Sequence, residues 1–403
     1  MSTVPGSLFR KTLFWMHLSC GVLAGVLILV MSVTGVAMTY ERQMIAAAGE
    51  RNHVAAPAGQ PRLSADELAA KASAAYSGNE PLSLVCDANP AAPVSVSAGR
   101  QTPALLNPYT GDTLVDASTG TRGFMSTMRS WHRYMGGDAR SLGGILIDYS
   151  NLMFVFIVVS GIYLWLPAVW RWRTVRGLVL FQKKYVNAKV RDFNWHHVFG
   201  IWMLVPLFLI ALSGAVISFP WASNLVYAAF GEEAPQRGGG GGGGGPGAGG
   251  GGPRAEGRNR GATGEAPEIV AEQTARASLQ QMMDVATAQV PDWQRLTLPL
   301  QARGDHVEVQ LEIRSTERRA PRRTLELSVA DASVMKDSGP PVVAQQTAGQ
   351  KARTWFRFVH TGEQYGVIGQ TIAGIASLAA CFLVYTGLAL AYRRLIRPVF
   401  RRG

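Results

Sequence analysis

Four long apolar runs alternate with polar segments along the chain. They cover residues 12–40, 141–170, 193–230 and 364–392, and they contain almost no charged side chains. A helix needs about 20 apolar residues to cross the hydrocarbon core of a bilayer. The apolar region of a cleavable secretory signal is at most about 15 residues long. We therefore predict four transmembrane helices and expect the first to be retained in the protein.

The composition agrees with a membrane protein. Only 16% of the 403 residues are charged and 47% are hydrophobic, although a soluble protein carries about 25% charged residues. In a soluble chain the net charge of +12 would suggest nucleic-acid binding. Here the basic residues gather at the ends of the apolar runs, where they set topology. We expect a polytopic protein in contact with the lipid bilayer, with no nucleic acid as partner.

The distribution of Lys and Arg predicts the orientation. Basic residues crowd the loop between the second and third runs and the tail after the fourth: Arg171, Arg173, Arg176, Lys183, Lys184, Lys189 and Arg191, then Arg393, Arg394, Arg397, Arg401 and Arg402. Such loops face the cytoplasm, and Arg10 with Lys11 places the N-terminus there too. We expect a multi-pass protein of a bacterial inner membrane with both termini cytoplasmic and two long segments exported to the periplasm.

These boundaries predict the organisation of the chain. The first half comprises a cytoplasmic tail (1–11), a transmembrane helix (12–40), an exported module (41–122), an interfacial segment (123–140) and a second transmembrane helix (141–168). A basic cytoplasmic loop (169–192) follows. The second half comprises a third helix (193–219), a second exported module (220–350) with a glycine-rich tether (236–266), an interfacial segment (351–366), a fourth helix (367–392) and a basic cytoplasmic tail (393–403).

An internal repeat relates the two halves. Each half has a histidine followed by a glycine at offset 4 and by a hydroxyl residue and a second glycine at offsets 17 and 18: His17, Gly21, Thr34 and Gly35, then His196, Gly200, Ser213 and Gly214. Each half continues to a second histidine and another hydroxyl–glycine pair: His132 with Ser160 and Gly161, then His360 with Thr386 and Gly387. We predict a mainly α membrane protein with four transmembrane helices arranged as two repeated hairpins.

The two exported segments also resemble each other. In the first, Ser64 is the predicted N-cap of a short amphipathic helix that extends to Tyr76, and β-prone runs follow at 81–86, 93–98 and 103–107. The second is predicted to contain a helix at 274–289 and strands at 294–300, 306–314 and 323–330. Each segment therefore reads as a small α+β module.

Four histidines are candidate metal ligands. His17 and His196 lie at the predicted cytoplasmic ends of the first and third helices, and His132 and His360 precede the second and fourth on the exported side. A single histidine at such a place often only hydrogen-bonds a carbonyl or a headgroup. Four at repeated positions favour a cofactor, because ionisable residues near spans are costly and neutral imidazole is a common metal ligand.

Elimination narrows the choice of cofactor. Zinc sites use three or four clustered ligands, but each leaflet offers two histidines without a cysteine or acid in register. Haem iron needs only two histidines as protein ligands. The three cysteines form no C-x-x-C-H attachment sequence, so the haem would not be covalently attached. We expect two noncovalent haem b groups. Gly21 and Gly200 would let a flat macrocycle approach the helices, although small residues also mark helix packing.

Basic residues near these histidines are candidates for binding haem propionates. Arg129 and Arg133 flank His132, and Arg353 and Arg357 precede His360. Arg10, Lys11 and Arg191 are the corresponding candidates for the cytoplasmic pair. Charge-assisted hydrogen bonds from arginine to carboxylates are strong, but the same residues are equally suited to anchoring helices at the membrane interface.

Several runs of the sequence form a distinctive set: WMHLSCG at 15–21, SGIYLW at 160–165, RDFNWHHVFG at 191–200, and His360-Thr361-Gly362 followed by IGQ at 368–370. Together they resemble the PepSY-associated transmembrane helix family, which are iron-regulated inner-membrane proteins of ferrisiderophore-reductase type. NPYTG at 107–111 is similar to the closing turn of a PepSY module. The resemblance covers nearly the whole chain. It implies an oxidoreductase that carries haem and passes electrons to periplasmic ferric siderophores, releasing ferrous iron.

The sequence departs from the family pattern at two places. His197 fills a variable position of the motif and competes with His196 as a ligand, but the spacing shared with His17 favours His196. The second module lacks the Tyr-Thr-Gly turn.

Other functions and the electron source stay open. No flavin or nicotinamide fingerprint is present, so the expected electron donor is a quinol or a separate reductase. The alternatives are a haem-dependent reductase of another periplasmic acceptor, and a non-catalytic protein whose PepSY modules bind a partner or whose helices conduct a solute.

Overall fold

The computed structural model describes residues 5–99, 101–167, 170–235, 276–314, 321–339 and 346–400. They form two compact units. The helical unit takes its described residues from Met1–Met44, Thr121–Gly243 and Gln346–Gly403, and the sheet unit takes them from Ile45–Gly120 and Gly244–Gln345. The predicted tether at 236–266 lies outside the described residues.

The described helices and strands have the following bounds. The helices are α1 (Pro5–Met38), α2 (Glu41–Gly49), α3 (Ala65–Ala75), α4 (Thr119–Tyr134), α5 (Leu142–Trp165), α6 (Trp172–Val179), α7 (Ala188–Trp202), α8 (Leu204–Ser218), α9 (Pro220–Ala228), α10 (Leu279–Gln289), α11 (Ala348–His360), α12 (Gly366–Leu395) and α13 (Arg397–Phe400). The strands are β1 (Leu82–Asp87), β2 (Val94–Ala98), β3 (Gln101–Leu106), β4 (Thr113–Leu114), β5 (Trp293–Pro299), β6 (His306–Ile313), β7 (Arg322–Ser328) and β8 (Val334–Asp337).

The helical unit contains the candidate membrane spans. Three helices are long and apolar enough to cross a bilayer: Leu8–Met38, Leu142–Trp165 and Glu363–Leu395. The predicted third span, 193–219, is divided between α7 and α8, which meet at an angle of 70°. The described residues thus contain three candidate spans, or four if this bent pair forms one span.

Pro206 accounts for the division of the third span. In a continuous helix its ring would clash with the carbonyl of Trp202 and its nitrogen would leave that carbonyl without a donor. The helix instead ends at Trp202 and restarts after Met203, which puts Pro206 in the first turn of α8. Proline is tolerated there because first-turn nitrogens have no intrahelical acceptor. The repeat aligns Pro206 with Leu27, and α1 continues through that position without a break.

Small side chains allow the helices of this unit to pack closely. α1 packs against α5 and α12, while α7 packs against α12 and α5 against α8. Ala376 and Ala380 of α12 are fully buried beside Val158 and Leu207. Such small residues bring helix backbones together, which is how helices associate within a bilayer.

The sheet unit contains one antiparallel sheet of eight strands. Their order is β4-β3-β2-β1-β5-β6-β7-β8. Described residues of Ile45–Gly120 supply one half of the sheet, and those of Gly244–Gln345 supply the other half. The two halves join where β1 pairs with β5, with Leu84 opposite Leu298. The two predicted α+β modules therefore share a single continuous sheet.

Helices α3 and α10 begin with matching caps. Ser64 and Glu67 form a capping box at α3, and Ser278 and Gln281 form one at α10. Asp66 of α3 also accepts hydrogen bonds from the first backbone N–H groups of α10. The second helix was expected from residue 274 and begins at Leu279, because Ser278 is its N-cap.

Candidate cofactor site

The four candidate histidines each contact a hydroxyl of the repeat. His17 Nδ1 lies 2.9 Å from Ser160 Oγ, and His196 Nδ1 lies 3.0 Å from Thr386 Oγ1. We name these two histidines the His17 pair. Within the pair, His17 is close enough to act electrostatically on His196. The residues that mark the repeat in sequence are thus in contact across helices.

His132 and His360, named here the His132 pair, have the same type of contact. His132 Nδ1 is 3.0 Å from Thr34 Oγ1, and His360 Nδ1 is 3.1 Å from Ser213 Oγ. The centroids of the two imidazole rings are 6.1 Å apart. With metal–nitrogen distances of about 2 Å, two imidazoles that bind one metal ion from opposite sides would have ring centroids roughly 6 Å apart, so this separation is compatible with a shared metal.

The hydrogen-bond partners define the tautomer of these imidazoles. All four hydroxyls donate their own proton to a backbone carbonyl in the preceding turn: Ser160 to Ile157, Thr386 to Phe382, Thr34 to Val30 and Ser213 to Ile210. Each hydroxyl oxygen therefore accepts from the histidine, so Nδ1 carries the proton. Nε2 then has a free lone pair, which is the arrangement of a metal-binding histidine oriented by a second residue.

Main-chain carbonyls indicate the same tautomer for the His132 pair. His132 Nδ1 is 3.0 Å from the Met31 carbonyl, and His360 Nδ1 is 3.0 Å from the Ile210 carbonyl. A carbonyl only accepts, so both Nδ1 atoms donate. Desolvation lowers the pKa of His132 to about 4, with a further contribution from His360. Both residues lie outside the candidate spans, and the neutral imidazole favoured there is the form that binds metal.

Glycines allow the imidazole rings to lie close to neighbouring helices. Three of the four glycines that follow the hydroxyls face a ring: a Cβ atom would lie 3.5 Å from His17 Cε1 at Gly161, 3.4 Å from His196 Cε1 at Gly387 and 3.8 Å from His132 Cε1 at Gly35. The fourth, Gly214, faces the amide of Asn151 instead. The hydroxyl–glycine pairs therefore combine a hydrogen bond with a close approach of the ring.

Open space lies beside the His17 pair. A Cβ atom at Gly21, one turn from His17, would meet nothing within 4 Å. At Gly200, one turn from His196, it would meet only Leu383 Cδ2, at 3.9 Å. Together with the free Nε2 atoms, this space fits a flat group that is held by two imidazoles. The residues present thus fit a bis-histidine haem.

The arginines expected near the His132 pair occupy different environments. Arg133 is close enough to affect the pKa of both His132 and His360. Arg129 forms an ion pair with Glu41. The structure therefore brings Arg133 to the pair, while the charge of Arg129 is directed to a carboxylate of α2.

Arg353 and Arg357 lie on α11 and have protein contacts. Arg353 Nε donates to Ser223 Oγ at a distance of 3.0 Å. The guanidinium of Arg357 lies 5.8 Å from the ring centroid of Phe358. These contacts agree with a role in anchoring α11.

The structure separates His197 from His196. His197 Nδ1 donates to the carbonyl of Phe193 on its own helix at 2.9 Å, and its ring packs on the Phe193 ring with centroids 4.0 Å apart. Unlike His196, it contacts no hydroxyl of another helix in the described residues. This favours His196 as the member of the pair.

A buried ion-pair cluster near the His17 pair was not predicted from the sequence. Asp192 is 0% exposed and accepts hydrogen bonds from Arg191 and Arg393, which links α7 to α12. Arg191, expected to serve the cofactor, is therefore paired with Asp192. The available signal was that Asp192 is the sole acidic residue between 169 and 200.

The metal-binding groups and the family of the chain are two separate findings. Among the described residues, no group of three or more His, Cys, Asp or Glu side chains is arranged to hold a metal ion, so the histidine pairs remain the metal-binding candidates. The profile of the PepSY-associated TM region matches residues 14–394. The chain therefore belongs to this family of membrane proteins. A comparison with curated proteins gives no match.

Proposed function

We propose that the protein is an inner-membrane di-haem electron-transfer protein that reduces ferric siderophores in the periplasm. The observation that carries this proposal is the repeated state of the histidines: each donates through Nδ1 to a hydroxyl and keeps Nε2 free. The His17 pair and the His132 pair would each hold one haem b. Haem iron supplies reversible one-electron chemistry when bound.

The position of the two pairs along α1 suits transfer across a membrane. His17 and Thr34, the partner of His132, are 17 residues apart on one helix. At about 1.5 Å per residue this corresponds to roughly 25 Å, most of the thickness of the hydrocarbon core. The Lys and Arg bias supports placing the His17 pair on the cytoplasmic side, where a quinol or a separate reductase would donate electrons.

The protein's own residues orient the ligands for this role. The hydroxyls fix the Nδ1–H tautomer and hold each ring against a neighbouring helix, which raises the basicity of Nε2 and limits its motion. Arg133 adds positive charge beside the His132 pair, where it would attract an anionic ferric complex as well as a propionate.

Reduction explains the release of iron without cleavage of the carrier. A siderophore holds ferric iron through hard oxygen ligands, which suit the larger and less charged ferrous ion less well. Addition of one electron to the ferric ion gives the ferrous ion, and the siderophore is recovered unchanged. The ferric siderophore is the substrate in this proposal, and its chemical type is left to experiment.

An optical spectrum of the purified full-length protein tests the cofactor. We expect low-spin b-type bands on reduction with dithionite and two haems per chain by pyridine haemochrome assay. A spectrum without haem bands from protein expressed with sufficient haem would contradict the proposal and favour a non-catalytic role.

Mixing experiments test the substrate. The dithionite-reduced protein, freed from excess reductant, is mixed with ferric siderophores of hydroxamate and catecholate type in the presence of a ferrous chelator. Haem reoxidation and formation of the ferrous chelate should have equal yields in electrons. If the reduced protein reacts with no ferric siderophore but reduces another acceptor, the siderophore assignment is wrong and a different haem-dependent reductase takes its place.

A further inference from the structure

Two buried polar atoms of the described residues have no hydrogen-bond partner. They are the hydroxyl oxygen of Tyr134 and the indole Nε1 of Trp165. Buried donors are almost always paired in folded proteins, and leaving one unpaired is costly. Each of these atoms therefore points to an acceptor that the described residues do not provide.

Trp165 lies next to the His17 pair. It follows Gly161 by one turn of α5, and Gly161 faces the ring of His17. The carbonyls on either side of it, those of Leu164 and Leu166, accept hydrogen bonds from Arg10 at 3.0 and 3.2 Å. The Arg10 guanidinium is therefore bound to the main chain on either side of the residue that carries the unpaired N–H.

Tyr134 is close in sequence to the His132 pair and contacts an arginine that acts on it. It is the last residue of α4, two positions after His132. The guanidinium of Arg133 lies 4.9 Å from the centroid of its ring, and Arg133 is close to both His132 and His360. Here too an unpaired buried donor stands beside an arginine.

The same combination at both histidine pairs identifies the missing acceptor as an anion. We propose that Tyr134 Oη and Trp165 Nε1 each donate a hydrogen bond to a propionate carboxylate of the haem held by the adjacent pair, with Arg133 and Arg10 supplying the positive charge. A carboxylate accepts from a neutral donor and a guanidinium together. This inference rests on the proposed function, because it requires a cofactor with carboxylates at each pair.

Both unpaired donors lie in the first half of the chain. The repeat aligns Tyr134 with Gly362 and Trp165 with Ala391, so the second half has no equivalent donor. At Gly362 a Cβ atom would lie 2.6 Å from the carbonyl oxygen of Gly369, and no larger side chain fits. In this proposal the neutral donors to both haems would therefore come from α4 and α5.

Substitutions that remove only the donor test the proposal in the full-length protein. Tyr134→Phe deletes the hydroxyl and Trp165→Phe deletes the indole N–H. The readouts are the rate at which each haem is lost to an excess of apomyoglobin and the propionate bending bands in the resonance Raman spectrum. We expect Tyr134→Phe to alter the bands and speed the loss of the haem at the His132 pair alone, and Trp165→Phe to do the same at the His17 pair, each by about tenfold.

Matched controls separate this effect from a general loss of packing. Tyr163→Phe and Trp172→Phe change side chains that are exposed, and we expect neither to alter haem loss. Arg133→Gln and Arg10→Gln should weaken the same haems as Tyr134→Phe and Trp165→Phe, which keeps the test decisive if an aromatic substitution impairs folding. Combining each substitution with His17→Ala or His132→Ala assigns the effect to one haem.

The failure of this inference can be distinguished from the failure of the proposed function. If the wild-type protein binds two haems and the donor and arginine variants match the controls in loss rate and Raman bands, the propionate contacts are wrong and the di-haem assignment stands. If both variants affect the same haem, the assignment of one donor to each haem is wrong. If the wild-type protein binds no haem, both proposals are overturned.

Discussion

The two halves of the helical unit present the same contacts on helices of different shape. In the first half, His17 and Thr34 lie on the single continuous helix α1. In the second, His196 lies on α7 and Ser213 on α8, with a bend of 70° between them. The distances from Nδ1 to the hydroxyl oxygen nevertheless range only from 2.9 to 3.1 Å.

This comparison shows where the geometry of the candidate site is determined. A change in the shape of the helix between two histidine sites leaves each site intact, because each imidazole is held by a hydroxyl and, in three cases, by a glycine of a neighbouring helix. The local hydroxyl–glycine pair, and not the straightness of the span, therefore defines the site.

The largest expected effect is the loss of one haem. If the halves are equivalent, His17→Ala and His196→Ala should each remove the same haem, and His132→Ala and His360→Ala should each remove the other. The haem content is measured by pyridine haemochrome assay, and the remaining haem is identified by its reduced spectrum. His197→Ala is the matched control and should keep both haems. Retention of both in all four variants would disprove the ligand assignment.

Removing the hydroxyls should distinguish the two pairs. Ser160→Ala or Thr386→Val should weaken haem binding at the His17 pair by about 10- to 100-fold, the usual effect of losing a residue that orients a metal-binding histidine. Thr34→Val and Ser213→Ala should cost less, because the carbonyls of Met31 and Ile210 accept from His132 and His360 at 3.0 Å. The carbonyls of Ile157 and Leu383 also interact with His17 and His196, but not in the hydrogen-bond geometry of the other pair. The rate of haem transfer to apomyoglobin gives the comparison. Equal effects at the two pairs would show that the carbonyls of Met31 and Ile210 do not compensate.

The buried carboxylate of the second half should matter for stability. The repeat aligns Asp192 with Leu13, so the ion-pair cluster with Arg191 and Arg393 has no counterpart in the first half. Asp192→Asn should destabilise the protein by about 2 kcal/mol, since it removes the negative charge and replaces one of the two acceptor oxygens by an NH2 donor, while the guanidinium groups remain partly hydrated. Thermal unfolding in detergent measures this. Glu233→Gln changes an exposed side chain and should leave the midpoint unchanged, and an equal midpoint for Asp192→Asn would argue against the cluster.

The smallest effect is expected at the edge of the sheet in the second half. Its edge strand β8 is held by an ion pair between Arg323 and Asp337, whereas the opposite edge strand, β4, has two residues. Arg323 lowers the pKa of Asp337 to about 2. The resulting stability is present above the unfolded-state pKa of about 4 and is lost as the pH falls toward about 2.

For a surface pair the contribution is less than about 1 kcal/mol. Unfolding midpoints of the wild type and Asp337→Asn, compared from pH 6 down to the acid limit of the protein's solubility, should converge as Asp337 is protonated. A difference that stays constant over this range would show that the carboxylate charge is not responsible.

Local features of the sequence predicted much of this structure. The offsets from His17 and His196 identified the hydroxyls, although their contact with the imidazoles required the helices to be assembled. Ser64 was recognised as an N-cap because its effect is confined to one helical turn. The bend was missed because the apolar run 193–219 is continuous, while Pro206 acts through hydrogen bonds that hydropathy does not record.

Contacts between distant residues could not be predicted. The pairing of Arg129 with Glu41 and of Asp192 with Arg393 depends on helix packing. Arg129 and Arg191 were expected at the cofactor because their charge was visible in sequence and their partners were not. The pairing of β1 with β5 is equally hidden, since any two strands with alternating apolar residues have compatible faces.

The strand pair at the centre of the sheet has a consequence for biosynthesis. Leu84 and Leu298 are partners on the order of 200 residues apart in the chain, so this pairing has a high contact order and is expected to form late. While the ribosome is still producing the second half, β1 presents an unpaired edge of backbone N–H and C=O groups, which is a template for aggregation. Until synthesis has passed residue 299, the nascent first module therefore needs a chaperone or rapid synthesis of β5 to protect this edge.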